Sequence, residues 1–358
     1  MRSEVKGGGY FVLRPYIILA FMAAIALPGN QDFGFKIDAA NAATEVTQNS
    51  SDIIVGFVNP QLLYSIPGNR GTVKSLAFSP DGKVLASGGS DNDSVIRLWN
   101  PLTGKKVGDI NKAHKTAVES LVISPDGQTL ASCSNDNTIN LWSLKNNRFS
   151  RSFVGHTSNV LSLVVSPDSK VLVSGALDGI RLWDLQQQRP LGTLVKFDNT
   201  IYTLAMSPSG QIVASGDNKG VVKLWNLTTG KLIRAVKAHS NAVTDVVFTP
   251  DGTNLITSSR DRTIKVWNLN SDQPTRTITG HNNWVNGIAI NPDGQTLASA
   301  GRDGIKVWNL NTGELITTLN GHRDWVSAIA FSPDGKILAS GGFDGLVNIW
   351  GTPRPKRN

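Results

Sequence analysis

Five histidines are the residues in this sequence best suited to acid–base chemistry. Each lies four residues before a valine, and they are His114, His156, His239, His281 and His322. Near neutral pH a histidine can act as a general base, and with serine and aspartate it forms the catalytic set of many hydrolases. Catalysis needs one such set, whereas this spacing occurs five times. The recurrence favours a structural role, so we predict no catalytic residue.

The remaining residues give little support to metal or cofactor chemistry. Cys133 is the only cysteine among 358 residues, which excludes an intrachain disulfide and any zinc site that needs two cysteines. No phosphate-binding loop, dinucleotide fingerprint or His-Glu-x-x-His motif occurs. We therefore expect neither a metal nor a cofactor.

A sequence repeat must position these histidines. Seven tryptophans recur 41 to 43 residues apart, at Trp99, Trp142, Trp183, Trp225, Trp267, Trp308 and Trp350. Each ends a short segment that alternates apolar and polar residues, as in 264–267, and such alternation is typical of a half-buried strand. Turns such as 79–82 (Ser-Pro-Asp-Gly) lie upstream, where proline presets the turn and glycine takes the positive φ.

Four short strands in each repeat cannot bury both faces of one small sheet. Seven such sheets stacked around an axis cover one another, which predicts an all-β, seven-bladed β-propeller over residues 59–351. The composition agrees, because 35 glycines and 17% charged residues suit many turns rather than long solvated helices. Residues 61–66 align with the outer strands of other repeats, and the seventh repeat lacks its own outer strand. We therefore expect this N-terminal strand to close the last blade.

The repeat resembles the WD-repeat family over about residues 60–350, and most closely its regular bacterial members. Only Trp183 is followed by aspartate, but all seven repeats match in register. The resemblance implies that each histidine bonds an aspartate in a tight turn, with a hydroxyl residue linking the histidine to the tryptophan indole. The aspartates are Asp136, Asp178, Asp261, Asp303 and Asp344, and the hydroxyl residues are Ser132, Ser174, Thr257, Ser299 and Ser340.

Two repeats depart from that pattern. Repeat four has Phe197 in place of the histidine and Lys219 in place of the aspartate, so both partners are lost together. Repeat one has Asn69 opposite Asp93, which retains the ability to form a hydrogen bond. We expect these two blades to be locally less stable.

Family resemblance also implies that the starts of the inner strands and the tight turns line one rim around a central channel. Large aromatic and arginine side chains, which dominate interface hot spots, gather at these positions in repeats five to seven. The corresponding starts in repeats two to four hold Ala117, Asn159 and Thr200. The predicted partner-binding patch comprises Arg260, Trp284, Arg302, Arg323, Trp325 and Phe343.

The N-terminus is predicted to direct export. Arg2, Lys6 and Arg14 precede an apolar run over 17–27, which is shorter than the ~20 residues that a membrane-spanning helix needs. We predict a signal peptide over 1–42, with an uncleaved membrane anchor as the alternative. A linker over 43–58 and a basic tail over 352–358 flank the propeller. The expected location is therefore extracytoplasmic, or attached to a membrane.

The function predicted from these features is a non-catalytic, monomeric scaffold that binds partner proteins of unknown identity through a propeller rim. One alternative is a propeller enzyme or carbohydrate-binding module, which would need carboxylates converging on the channel. Another is binding to nucleic acid or an anionic surface, which the net charge of +8 permits. Because the basic residues are interspersed among strand positions and export separates the chain from nucleic acid, we expect no nucleic-acid partner.

Overall fold

The computed structural model describes residues 57, 59–90, 93–196 and 199–353. In this part of the chain, 28 strands form seven four-stranded antiparallel sheets. The innermost strands of neighbouring sheets pack against one another around a channel. The predicted seven-bladed propeller is confirmed. The predicted signal segment over 1–42, most of the linker over 43–58, Phe197 and all but two residues of the basic tail lie outside the described residues.

The first four blades each run outward in chain order from their innermost strand. Blade one contains β2 (Val73–Phe78), β3 (Leu85–Gly89), β4 (Ile96–Trp99) and β5 (Lys106–Ile110). Blade two contains β6 (Val118–Ile123), β7 (Thr129–Ser134), β8 (Thr138–Ser143) and β9 (Arg148–Val154). Blade three contains β10 (Val160–Val165), β11 (Val171–Ala176), β12 (Gly179–Asp184) and β13 (Arg189–Lys196). Blade four contains β14 (Ile201–Met206), β15 (Ile212–Asp217), β16 (Val221–Asn226) and β17 (Leu232–Lys237).

The remaining three blades follow the same order from the channel outward. Blade five contains β18 (Val243–Phe248), β19 (Asn254–Ser259), β20 (Ile264–Asn268) and β21 (Arg276–Ile278). Blade six contains β22 (Val285–Ile290), β23 (Thr296–Gly301), β24 (Gly304–Asn309) and β25 (Leu315–Leu319). Blade seven contains β26 (Val326–Phe331), β27 (Ile337–Gly342), β28 (Leu346–Gly351) and, as its outer strand, β1 (Gln61–Pro67).

The hydrophobic core lies between the blades rather than within one sheet. Trp142 of blade two, for example, packs in one cluster with Ile96 and Leu98 of blade one. All seven repeat tryptophans are buried, with 2–7% of their surface exposed. Full burial of a large apolar side chain contributes roughly 2–3 kcal/mol, so each tryptophan joins two neighbouring blades.

The N-terminal strand closes the ring as predicted. β1 pairs antiparallel with β28, from Gln61 opposite Gly351 to Pro67 opposite Leu346. Ile66 is 3% exposed and joins Val347 and Ile349 in one core cluster. The outer edge of β28 is therefore covered by a strand from the other end of the repeat array.

Phe57 completes the core at the same closure. In blades two to six a leucine two residues after the tryptophan packs into the core, at Leu144, Leu185, Leu227, Leu269 and Leu310. In blade seven this position is Thr352, and the core cluster of that blade instead contains Phe57, which is 2% exposed. Its ring meets the edge of Phe331 at 5.1 Å between centroids. Phe57, assigned above to a linker, therefore packs as part of the propeller.

Hydrogen bonds from side chains to the backbone join neighbouring inner strands. Ser75 of β2 accepts from the Leu121 N–H at 2.9 Å, and Ser162 of β10 accepts from the Leu204 N–H at 2.9 Å. The equivalent position in β18 is Asp245, whose Oδ2 accepts from the Ile288 N–H at 3.0 Å. Thr203 of blade four donates to its Oδ1, also at 3.0 Å. In blade five a carboxylate therefore replaces the serine hydroxyl of two other blades.

Asp245 should make the stability of the propeller depend on pH. Burial raises the pKa of Asp245 to about 6, and the hydrogen bonds from Ile288, Thr203 and Val246 offset this only in part. Because the folded-state pKa exceeds the unfolded one, the ionised carboxylate disfavours folding above pH 6, and this cost disappears as the pH falls through 6 towards 4. We expect Asp245→Asn to stabilise the protein by about 1–3 kcal/mol at pH 7.5 and by almost nothing at pH 4.

Urea unfolding of the two proteins at both pH values measures this difference. The matched control is Asp324→Asn, because Asp324 lies on an exposed loop. Equal stability of the Asp245→Asn variant and the parent protein at pH 7.5 would contradict the assignment.

Candidate functional site

The five histidines occupy equivalent positions and make equivalent bonds. Each Nδ1 lies 2.6–3.1 Å from an aspartate oxygen, in the pairs His114–Asp136, His156–Asp178, His239–Asp261, His281–Asp303 and His322–Asp344. Each Nε2 lies 2.7–2.8 Å from the hydroxyl oxygen of Ser132, Ser174, Thr257, Ser299 or Ser340. The indole N–H of the same blade donates to that hydroxyl at 2.7–3.0 Å, from Trp142, Trp183, Trp267, Trp308 or Trp350. The pairings implied by the resemblance are all present.

One proton arrangement satisfies every member of such a chain. The indole donates to the hydroxyl, the hydroxyl donates to Nε2, and Nδ1–H donates to the carboxylate. Burial lowers the pKa of His156 and His281 more than the adjacent carboxylates raise it, so these rings are neutral at pH 7. Burial raises the pKa of Asp136, but hydrogen bonds from His114, Thr138 and the Lys115 backbone hold that pKa well below its usual range. Hydrogen bonds likewise hold the pKa values of Asp178 and Asp303 below their usual range, so the chains of blades three and six each pair a neutral imidazole with an ionised aspartate.

The hydroxyl groups in these chains are inaccessible to a substrate. Ser132, Ser174, Thr257, Ser299 and Ser340 are all 0% exposed. Each accepts the bond from an indole and lies beneath its histidine, so no reacting carbonyl can approach the oxygen atom. These five sets therefore hold the tight turns to the sheets and do not form nucleophilic sites.

The two exceptional blades use other polar pairs. In blade four Asn199 donates to Asp217 at 2.8 Å, and Asp217 also accepts from the Lys219 and Val221 N–H groups. Asp217 lies two residues before Lys219, so the carboxylate has moved along the turn. The histidine–aspartate pair is absent from this blade as expected, but a different polar pair, which the repeat pattern did not predict, holds the turn.

Blade one keeps a polar network with different partners. Asn69 accepts from the Ser87 hydroxyl at 3.2 Å, in the place where a histidine would stand. Asp93 does not bind Asn69 but accepts from the Arg70 N–H and the Arg97 guanidinium. The hydrogen bond expected of Asn69 therefore forms with the serine of the chain and not with the aspartate.

Five of the six predicted patch residues form one continuous cluster on the rim. The Arg260 guanidinium lies 4.8 Å from the Trp284 ring centroid, and Trp284 meets Trp325 edge-on at 5.4 Å. Trp325 also contacts Phe343 at 6.0 Å, and Arg302 lies over the Trp325 ring at 5.7 Å. We call these five residues, Arg260, Trp284, Arg302, Trp325 and Phe343, the rim cluster.

Repeat geometry explains why these residues meet. The residue before the tight-turn aspartate of one blade lies beside the residue before the inner strand of the next blade. Arg260 of blade five thereby reaches Trp284 of blade six, and Arg302 of blade six reaches Trp325 of blade seven. Arg323, the sixth predicted residue, is exposed, and within the described ranges no ring contact or ion pair joins its side chain to the cluster.

The rim cluster borders the mouth of the central channel. A cavity of about 340 Å³ opens there, and both Arg260 and Phe343 line it. The second residue of every inner strand lines the same cavity, and these seven residues are Lys74, Glu119, Leu161, Tyr202, Thr244, Asn286 and Ser327. Lys74 pairs with Glu119, whose carboxylate also accepts from Asn135 at 2.6 Å.

Tyr202 is a rim residue that reasoning from the sequence missed. Its ring lies 5.3 Å from the Arg260 guanidinium, on the blade-four side of the cluster. The available signal was its position directly after the first residue of an inner strand, where its side chain faces the channel. Its contact with Arg260 crosses the boundary between blades four and five, which the repeat pattern alone does not indicate.

Comparison with known families identifies the repeat. A family model described as the IFT122 first beta-propeller matches residues 92–304, which is more than half of the chain. A second model, described as the WD domain, G-beta repeat, matches residues 60–100 and 313–351. The chain belongs to the WD-repeat β-propeller family. The resemblance to the regular bacterial members of that family stays a prediction.

Several curated proteins share part of this WD-repeat sequence. Anaphase-promoting complex subunit cdh1 of Dictyostelium discoideum is 27% identical over 117 residues, covering 32% of this chain and 16% of its own length. WD repeat-containing protein srw1 of Schizosaccharomyces pombe is 26% identical over 117 residues, covering 32% and 21%. Protein Mut11 of Chlamydomonas reinhardtii is 31% identical over 80 residues, covering 22% and 19%. The matched region thus spans about a fifth of each relative.

The WD-repeat propeller shows neither a metal-binding group nor a membrane-spanning helix in its described part. Within residues 57, 59–90, 93–196 and 199–353, no three side chains of the usual metal-binding types are grouped to hold an ion. The same ranges contain no helix long and apolar enough to cross a membrane.

Proposed function

We propose that this WD-repeat propeller is a non-catalytic scaffold that binds partner proteins through the rim cluster. The proposal extends to an extracytoplasmic location, for which the support is the basic and apolar N-terminal sequence described above. Membrane attachment through an uncleaved N-terminus is the alternative to a released, monomeric protein. The propeller fold supports this proposal, because a rigid ring can carry variable loops that form a binding surface.

The exposed aromatic surface of the rim cluster carries this proposal. Trp284 is 38% exposed and Phe343 is 48% exposed, although each packs against another ring of the cluster. Isolated exposed aromatics are common on protein surfaces, but a contiguous set joined with arginines is typical of an interface hot spot. Among the described residues, the equivalent surface of blades two to four has no such set, so the binding face is lopsided.

Replacing both rim tryptophans should abolish partner capture while leaving the fold intact. A hot-spot residue contributes about 2 kcal/mol or more, which is ~30-fold in affinity, so the double variant Trp284→Ala, Trp325→Ala should weaken binding by well over that factor. Affinity capture from the exported fraction, quantified by mass spectrometry, measures the loss, and the circular dichroism melting curve checks the fold. Sequencing the N-terminus of the same material tests export and cleavage.

A matched control is Phe149→Ala on the outer strand β9. Phe149 is 56% exposed and packs edge-on against Trp142, so it resembles the rim tryptophans in exposure and in ring contacts. Partners that bind the rim cluster should be captured by this variant as by the parent protein. Capture that is equal for all three proteins would refute the proposal.

A further inference from the structure

The rim cluster contains arginines whose charge nothing in the described structure neutralises. Arg260 and Arg302 belong to the cluster and Arg323 lies on the neighbouring loop, and none of these three forms an ion pair within the described part of the chain. By contrast, Arg97 and Arg181 lie deeper in their blades and pair with Asp93 and Asp178. The guanidinium groups of the rim are thus available to an external anion.

The aspartates on the same face do not neutralise these arginines. Asp261, Asp303 and Asp344 each accept from a histidine Nδ1 and from the backbone N–H of the residue directly after that histidine. Asp324 is exposed, and its Oδ1 accepts from the Trp325 N–H at 2.8 Å. The carboxylates of the tight turns therefore bind groups of their own blade, whereas the side chains of Arg260 and Arg302, which directly precede two of these aspartates, do not pair with them.

Two ring contacts restrict the Arg260 side chain. Its guanidinium carbon lies 5.3 Å from the Tyr202 ring centroid and 4.8 Å from the Trp284 ring centroid. A guanidinium carries five N–H donors in one plane, which is the geometry that binds a carboxylate through two parallel hydrogen bonds. Holding the side chain in advance also reduces the entropy that binding costs.

The channel mouth offers few competing partners for such a ligand. Thr244 and Ser327 donate their hydroxyl protons to the backbone carbonyls of Val285 and Val73 in neighbouring blades. Asn286 likewise donates to a backbone carbonyl, at 2.9 Å. Lys74 is paired with Glu119. Among the described residues that line this cavity of about 340 Å³, Arg260 is therefore the unpaired cation.

We propose that the rim cluster recognises an acidic, extended segment of a partner protein. A carboxylate side chain of that segment binds Arg260 at the channel mouth, a second carboxylate binds Arg302, and an apolar side chain between them packs on Trp284, Trp325 and Phe343. This inference rests on the proposed function and names the chemistry of the partner. Charge complementarity selects an acidic segment over a basic or neutral one.

A library of random twelve-residue peptides displayed on phage provides the probe. Selection on the full-length protein should enrich peptides with two or more acidic residues beside an aromatic or aliphatic residue. The glutamine counterpart of an enriched peptide should bind at least 10-fold more weakly by fluorescence anisotropy. Raising the salt concentration from 50 to 500 mM should also lower the affinity of the acidic peptide, because salt screens the attraction between its carboxylates and the arginines.

Variants of the protein separate this site from general electrostatic attraction. Arg260→Gln should lower the affinity for the acidic peptide about 10-fold, whereas Lys115→Gln should change that affinity less than 2-fold. Lys115 is exposed on the same rim in blade two, so both substitutions remove one positive charge from that face. Equal effects of the two substitutions would overturn the proposal.

The remaining outcomes also decide the question. Enrichment of basic or neutral peptides, or no enrichment, would refute acidic recognition. If capture of partner proteins still depended on Trp284 and Trp325, the proposed scaffold function would survive that failure. If capture did not depend on them, the rim cluster would lose both assignments.

Discussion

A chain that lacks residues 59–68 is expected not to form a stable propeller. The deletion removes β1, and with it the backbone pairing from Gln61–Gly351 to Pro67–Leu346 and the buried side chain of Ile66. Loss of a buried isoleucine alone costs about 2–5 kcal/mol, and each lost hydrogen bond adds about 1 kcal/mol. The sum approaches the roughly 5–15 kcal/mol that stabilises most folded domains, so unfolding or aggregation should result.

Thermal melting followed by circular dichroism measures this effect, with deletion of residues 352–358 as the control. The control should melt within a few degrees of the parent protein. A point variant, Ile66→Asp, keeps the backbone pairs and should lower stability by about 3–5 kcal/mol, because it places a charge in the core without a partner. Equal melting temperatures for the two deletions would contradict closure by β1.

Removing one member of a histidine–aspartate pair should lower the free energy of unfolding strongly, because the other member then stays buried without its hydrogen-bond partner. Asp178→Ala in blade three leaves the His156 Nδ1–H and the Thr157 N–H without the acceptor that both now use. Asp178 is 7% exposed and His156 is 6% exposed, so water does not readily replace the carboxylate. We expect a loss of about 3 kcal/mol in the free energy of unfolding.

The double variant tests whether the pair acts as a unit. His156→Phe should cost about 2 kcal/mol alone, and the variant His156→Phe, Asp178→Ala should be at least ~1 kcal/mol more stable than the sum of the single losses predicts. Urea unfolding followed by tryptophan fluorescence gives the four stabilities of the cycle. The control is Asp168→Ala, which changes an exposed aspartate in the turn over 166–169 of the same blade. Strictly additive losses would show that the two residues act independently.

The repeat architecture was predictable because its determinants are local. The tryptophan spacing of 41 to 43 residues marks every blade and proline–glycine turns mark six of the seven, and the closing strand follows from the match of 61–66 to other outer strands. The histidine chains followed from the family resemblance, and their burial shows why they are structural. Five rim residues also came together as predicted, since their positions are locked to the repeat.

What the sequence did not reveal depends on contacts between distant or irregular positions. Phe57 replaces a leucine that the seventh repeat lacks, but it lies outside the repeat array, so no repeat position marks it as buried. Asp217 takes over from a missing aspartate two positions away, which strict repeat alignment conceals. Tyr202 reaches Arg260 across a blade boundary. In each case tertiary packing determines a role that the residue type and its repeat position do not.

The pairing of β1 with β28 also has a consequence for synthesis on the ribosome. Gln61 is made before the other strands of the described ranges, whereas its partner Gly351 is made after them. Six blades can assemble in turn as the chain elongates, whereas the seventh waits for its final strand while β1 remains without a partner. Contacts between such distant segments slow folding and prolong the exposure of an unpaired strand edge that is prone to aggregation. The nascent chain should therefore depend on chaperones most strongly just before β28 is complete.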